Sequence, residues 1–186
     1  MTRRGRALRR WLCALAACAC LGDAPAADAP SEYQIKAVFV FNFSHFVEWP
    51  PQAFASASDP FVIGIVGEDP FGSHLDEAIR GEHISSHPLI VRRYRSAGEV
   101  GDCQILFIDR SQGPHLAQIL AGLDHRSTLT VSELDGAAAR GVMIEFVTEN
   151  NRIRLRINAE SARAAGLSVS SKLLHLADIV STTHGD

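Results

Sequence analysis

Phe61-Val-Ile-Gly-Ile-Val-Gly-Glu-Asp-Pro-Phe-Gly72 is the stretch that decides the fold. Its first six residues are apolar without alternation, the pattern of a strand covered on both faces. Gly67 turns the chain, Asp69 stands where a helix N-cap belongs, Pro70 suits a first helical turn, and Gly81 marks the stop. A buried strand followed at once by a helix is half of a βα repeat. The chain downstream continues it. Pro88–Tyr94 and Gln104–Ile108 read as strands, and Ser111 or Gln112 opens a helix reaching Leu120, with Gly122 as its C-cap. Thr128–Val131 is a fourth strand, followed by a short helix from Glu133 to Ala139 that stops at Gly141.

Upstream, Ser31-Glu-Tyr-Gln34 is a capping box that opens a helix through residues 36–49, halted by Pro50-Pro51. Tyr33, Ala37, Val40, Phe41, Phe43 and Val47 give that helix a broad apolar surface, so it is expected to be largely buried. At the other end, Met143–Val147 and Arg152–Ile157 read as a hairpin across Thr148-Glu-Asn-Asn151. Asn158 caps a helix ending at Gly166, and a last helix is expected from Ser171 to Val180. Repeated βα units in a chain of this size imply an α/β fold. The expectation is a single three-layer domain with a mixed, mostly parallel sheet, helices on both faces and a C-terminal hairpin.

The first thirty residues follow another logic. Five arginines (Arg3, Arg4, Arg6, Arg9 and Arg10) precede Trp11–Leu21, a run without charge, and then the small residues of Asp23–Pro30. This is the layout of a secretory signal, and the apolar run is shorter than the roughly 20 residues that span a bilayer. Ala24-Pro25-Ala26 fits a cleavage site, giving a signal peptide over 1–26 and a periplasmic domain over 27–186. Leu15-Ala16-Ala17-Cys18 resembles a lipobox, so anchoring through acylated Cys18 is the competing mode of release. The whole chain has 18 basic and 21 acidic residues; cleavage leaves 13 and 20, a net charge of −7. Such a domain has no electrostatic footprint for nucleic acid, and no second apolar run implies membrane insertion of the mature domain. Only Cys103 of the four cysteines lies beyond the signal, so an intramolecular disulfide has no second partner there. Cys103 opens an apolar run and reads as a small buried hydrophobe.

Chemistry-bearing patterns are few. Arg152-Ile-Arg-Leu-Arg-Ile157 alternates strictly, placing Ile153, Leu155 and Ile157 on the core face and three arginines on the other. With a four-residue loop, Glu145 would stand opposite Arg154. The arginine face is either a solvated sheet surface or a partner-binding surface formed by Glu145, Arg152, Arg154 and Arg156. Gly67, Asp109 and Ser132 fall near carboxyl ends of strands, where α/β proteins form a ligand crevice, although Asp109 and Ser132 are equally explained as caps. Gly67–Gly72 is not a phosphate-binding fingerprint, since its spacing is not G-x-G-x-x-G and Glu68 and Asp69 would repel an anion. His83 and His87 lie four apart but lack a third ligand, and His45 sits on the first helix, so no metal and no other cofactor is expected. There is no G-x-S-x-G, and Ser170-Ser171-Lys172 is not S-x-x-K, so no catalytic residue is assigned and the chain does not read as an enzyme.

Taken in order, several segments resemble the YfiR/HmsC-like family. They are Tyr33–Pro50, Phe61–Gly72, Cys103–Ile108, Leu129–Ser132, Arg154–Asn158 and Leu167–Ala177, and the resemblance runs in order through essentially all of residues 31–180. The resemblance implies a periplasmic α/β protein that is not an enzyme. It further implies restraint of an inner-membrane diguanylate cyclase, or another membrane sensor such as a kinase, with lowered cyclic di-GMP and reduced biofilm. Known members carry paired cysteines; Cys103 matches one of those positions and the domain over 27–186 holds no second, which speaks against redox control within this monomer. A periplasmic small-ligand receptor is the alternative function, and a homodimer stays open beside either.

Overall fold

The computed structural model describes residues 30–183. Helix α1 (Glu32–Phe46) starts where Ser31 Oγ accepts the Gln34 amide at 3.2 Å. It ends sooner than expected, because Val47 is already extended at φ −118° and belongs to the short strand β1 (Val47–Glu48). Strand β2 (Phe61–Val66) is buried along its whole length. Asp69 does not cap a helix; its Oδ1 accepts the Phe71 amide at 2.8 Å in a local turn, and α2 (His74–Ala78) starts only after it. Next come β3 (His83–Ile84), β4 (His87–Tyr94) and β5 (Ile105–Ile108). The side chain of Asp109 caps a 3₁₀ segment, Arg110–His115, that runs into α3 (Leu116–Gly122).

Strand β6 (Leu129–Ser132) is followed by a single 3₁₀ turn, Ala138–Arg140, rather than the expected helix from Glu133, and it stops at Gly141 with φ 104°. Strands β7 (Ile144–Glu149) and β8 (Arg152–Ile157) form the closing hairpin. Asn158 caps α4 (Ala159–Ala164) by accepting the Ser161 amide. Strand β9 (Ser168–Val169), α5 (Ser171–Leu174) and β10 (Ala177–Ile179) complete the chain.

The main sheet has eight strands in the order β10-β8-β7-β6-β5-β2-β4-β3, and β1 pairs separately with β9. Pairing is parallel from β4 through to β7 and between β8 and β10, and antiparallel in the β3–β4 and β7–β8 hairpins. The expected mixed, mostly parallel α/β sheet is therefore what forms. One face is packed by α1, α2, α4 and α5 through Ala37, Val40, Phe43, Leu75, Ala162 and Leu173. The other is packed by α3, whose Leu116 and Ile119 meet Val62, Val66, Leu106 and Ile108. Gly64 faces α3's side, and a Cβ there would stand 3.0 Å from both Leu106 and Tyr94, so the close approach of these side chains requires glycine.

Two expectations at the C-terminal end are corrected. The β7–β8 turn has two residues, Asn150 and Asn151, at φ 50° and 60°, as the tight hairpin that matches strand twist demands. The register therefore places Glu145 across from Arg156, and Val147 across from Arg154. The last expected helix stops at Leu174, and Ala177–Ile179 pair in parallel with Leu155–Ile157. A strand wins there because the outer edge of β8 offers ladder hydrogen bonds that another helical turn would leave unmade.

Candidate functional site

The alternation of β8 holds in three dimensions. Leu155 and Ile157 are buried and Ile153 is half-buried against the α1 side, while Arg152 and Arg154 are exposed. Strand β10 reaches back only to Leu155, so residues 152–154 form an open stretch of sheet edge. Beside it lies a groove of about 360 Å³ lined by Phe39, Arg152, Ile153, Arg154, Leu155 and Leu176. Leu176 is 74% exposed and Ile179, further along, 56%. Apolar groups of this size left in water, rimmed by guanidinium groups, form the kind of surface that marks a contact site.

The four residues expected to bind a partner do not act alike. Glu145 is buried, with its oxygens accepting the amides of Gly136 at 3.0 Å and Ala138 at 2.9 Å, and Arg156 Nη1 lies 3.4 Å away. Arg156 Nη2 also reaches Glu149 at 3.6 Å, so its charge is committed within the hairpin. Arg154 Nε lies 3.6 Å from the same Glu149, a loose pair at the surface. Arg152 has no carboxylate within pairing distance among the described residues. Glu145 thus holds the loop before β7, Arg156 pairs with Glu145 and Glu149, and Arg152 and Arg154 face solvent.

Gly67, Asp109 and Ser132 do come together at the carboxyl ends of β2, β5 and β6, where the strand order reverses. The space between them is occupied. Gly67, at φ 98°, lies so close that a Cβ would be 2.6 Å from Ser111 Oγ and 3.0 Å from Gln112 Cγ. Asp109 Oδ1 accepts the Ser111 amide at 2.8 Å, and Ser132 Oγ donates to the Ile108 carbonyl at 2.7 Å.

Sequence reasoning missed a buried ionic cluster. Lys36, on the inner face of α1, is 1% exposed, and its Nζ lies 2.5 Å from Glu133 Oε2 and 2.6 Å from Glu32 Oε1. The Tyr33 hydroxyl donates to Glu133 Oε1 at 3.0 Å, and Arg110 Nε lies 3.2 Å from the same oxygen. Burial first, then the bond to Glu133, pushes the Tyr33 phenol up to about 12, and the Lys36 bond holds the Glu32 carboxyl below its usual range. All these groups are spent on one another, so the cluster rivets α1 to the end of β6. A lysine inside the Tyr33–Ala37–Val40 stripe was the available signal.

His83 and His87 stand in the β3–β4 hairpin, where His83 opposes Pro88 and His87 opposes Ile84. His87 stacks on Phe54 at 3.9 Å, and its Nδ1 lies 2.6 Å from the Asp59 carbonyl oxygen. His45 packs edge-on against Phe41, with ring centroids 5.1 Å apart. Among the described residues no group of three His, Cys, Asp or Glu side chains is placed to hold a metal. Cys103 is buried, as expected, and burial pushes its thiol up to about 12.

The family model described as YfiR/HmsC-like matches residues 33–178, nearly all of the folded domain. The chain belongs to the YfiR/HmsC-like family. No curated protein matches it. Family membership suggests a periplasmic regulator of cyclic di-GMP signalling, regulatory rather than catalytic in kind. In this YfiR/HmsC-like chain no helix among the described residues is long and apolar enough to cross a membrane. The expected signal segment, the Ala26 cleavage site and Cys18 lie outside the described residues.

The raised values of Cys103 and Tyr33 give a pH dependence with a definite sign. In the unfolded chain these groups lose protons from ordinary values of 9.0 and 10.0, whereas the folded domain holds both to about 12. Below 9.0 their contribution to stability is complete, and it is lost as pH rises towards about 12. Thermal unfolding followed from neutral to alkaline pH should show the midpoint falling from about pH 9, with Cys103→Ala flattening the first part of the fall. An equally steep fall in that variant would show that the thiol does not drive it.

Proposed function

We propose that this YfiR/HmsC-like domain is exported by residues 1–26 and works in the periplasm by binding and restraining an inner-membrane signalling protein, a diguanylate cyclase, so lowering cyclic di-GMP. The observation that carries the reading is the arginine-rimmed apolar groove beside the open β8 edge, on a domain whose family is regulatory. Phe39, Ile153 and Leu176 supply the apolar floor and Arg152 and Arg154 the charge. The matching partner is a periplasmic segment carrying apolar anchors flanked by carboxylates.

Deleting the gene should raise cellular cyclic di-GMP, and the rise should vanish in a strain that also lacks the cyclase. No rise in the single deletion would sink the proposal. The surface is tested separately with Arg152→Glu/Arg154→Glu. Both side chains are exposed, so the variant should melt within about 1 kcal/mol of the parent. It should nevertheless lose at least tenfold in affinity for the cyclase's periplasmic part, measured by pull-down and titration. A folded variant that binds unchanged would place the contact elsewhere.

A further inference from the structure

Helix α3 covers only part of its face of the sheet. Its Leu116 and Ile119 share one buried cluster with Val62, Val66, Cys103, Leu106 and Ile108. At the amino ends of the strands the edge of that cluster, Val62 and Cys103, lies with Thr128 beneath an open cavity of about 510 Å³, each of the three no more than 4% exposed. That is a size suited to small organic ligands. It sits at the opposite end of the strands from Gly67, Asp109 and Ser132 and belongs to different strands from the β8 groove.

The walls are held in place by the protein's own bonds. Gln104 spends both ends of its amide on them, accepting the Val62 amide at 2.7 Å and donating to the Ala53 carbonyl at 2.8 Å. Thr128 Oγ1 donates to the Cys103 carbonyl at 2.8 Å on the other side. Between these walls, His125 turns the chain at φ 66°, in the left-handed region that histidine visits more readily than most side chains.

Charge decides what the cavity would take. Its carboxylates are Asp59 and Asp102, and its guanidinium groups are Arg92 and Arg126. Asp59 is committed to a turn, accepting the Ser56 amide at 2.9 Å and the Ser56 hydroxyl at 2.7 Å. Asp102 is 98% exposed and touches Arg126 only at 3.6 Å, a contact that solvent weakens. Arg92 stands in register with Gly64 and so projects on α3's side of the sheet. Among the described residues no carboxylate pairs with it. Two guanidinium groups with little internal compensation over a floor of Val62 and Cys103 are complementary to an acid group on an apolar body. The net charge of the whole chain is −3, so general attraction for anions does not explain the arrangement.

We propose that this cavity is a binding site for a small organic anion, a carboxylate or phosphate ester on an apolar or aromatic body, with Arg92 and Arg126 holding the acid group above Val62 and Cys103. The site is independent of the partner surface and would give the domain a ligand input of its own.

The probes are benzoate, phenyl phosphate and the neutral benzyl alcohol, each titrated into the ¹⁵N-labelled domain. Benzoate or phenyl phosphate should produce saturable shifts at the amides of Cys103, His125, Arg126 and Ser127, with a dissociation constant of about 1 mM or tighter. The tighter of the two anions assigns the acid class. Benzyl alcohol should bind at least about tenfold more weakly. Arg92→Gln and Arg92→Gln/Arg126→Gln should keep the melting temperature, since neither arginine is buried, and lose about tenfold or more in anion affinity. The proposal is overturned by absence of a saturable response to both anions, by equal binding of the alcohol, or by full anion affinity in the double variant.

Discussion

Lys36→Met should lower the stability of the domain by about 3 kcal/mol, the lower end of the range for breaking a buried ion pair from one side. Lys36 and Glu133 are both 1% exposed, so removing the ammonium leaves a carboxylate out of reach of water. The Tyr33 hydroxyl and Arg110 Nε still touch Glu133, but Arg110 is 61% exposed and its charge is screened. A loss of that size should lower the melting temperature by on the order of 10 °C in a domain of this length. Lys36→Met/Glu133→Gln should regain part of the loss, because no buried charge is then left unpaired. Urea unfolding of the two single variants and the double variant measures the coupling. A loss below about 1 kcal/mol in Lys36→Met would mean that water reaches Glu133.

Glu145→Ala is the second large effect, at about 3 kcal/mol. Its carboxylate accepts hydrogen bonds from the amides of Gly136 and Ala138, and hydrogen bonds donated to a charged group contribute about 1.5–3 kcal/mol each. Arg156→Ala should cost less than about 1 kcal/mol, since that arginine is 38% exposed and its contacts lie at 3.4 and 3.6 Å. The contrast separates support from contact. Glu145→Ala should weaken partner binding only as far as it unfolds the domain, whereas Arg152→Glu/Arg154→Glu should weaken it in a folded one. Comparable losses of stability for Glu145→Ala and Arg156→Ala would show that the loop does not depend on the carboxylate.

The βα repeat was legible from Phe61–Val66 onward because a strand buried on both faces is apolar nearly throughout, as β2 and β5 are, while β6 is equally buried and hydrogen-bonds the hydroxyls of Thr130 and Ser132. Caps were legible where a side chain bonds its own neighbours, as Ser31 does with Gln34 and Asn158 with Ser161. Asp69 misled because the same chemistry also closes a turn without a helix. Ala177–Ile179 misled because a three-residue strand has too little pattern of its own. The alternating arginines of β8 could be read, but not which of them stay free. That followed from a two-residue turn, which set Arg156 against Glu145 and left Arg152 and Arg154 beside Phe39 and Leu176.

The amino-acid sequence by itself determined the α/β class, the buried strands and the family. Those depend on local order: which residues repel water, which bond their neighbours, and in what succession they come. Tertiary structure alone decided the Lys36–Glu133 rivet, the closure of the space around Gly67 and the opening of a cavity between Arg92 and Arg126. Each joins residues distant along the chain, Lys36 and Glu133 being 97 apart, and their meeting depends on strand order and helix placement that no local pattern encodes.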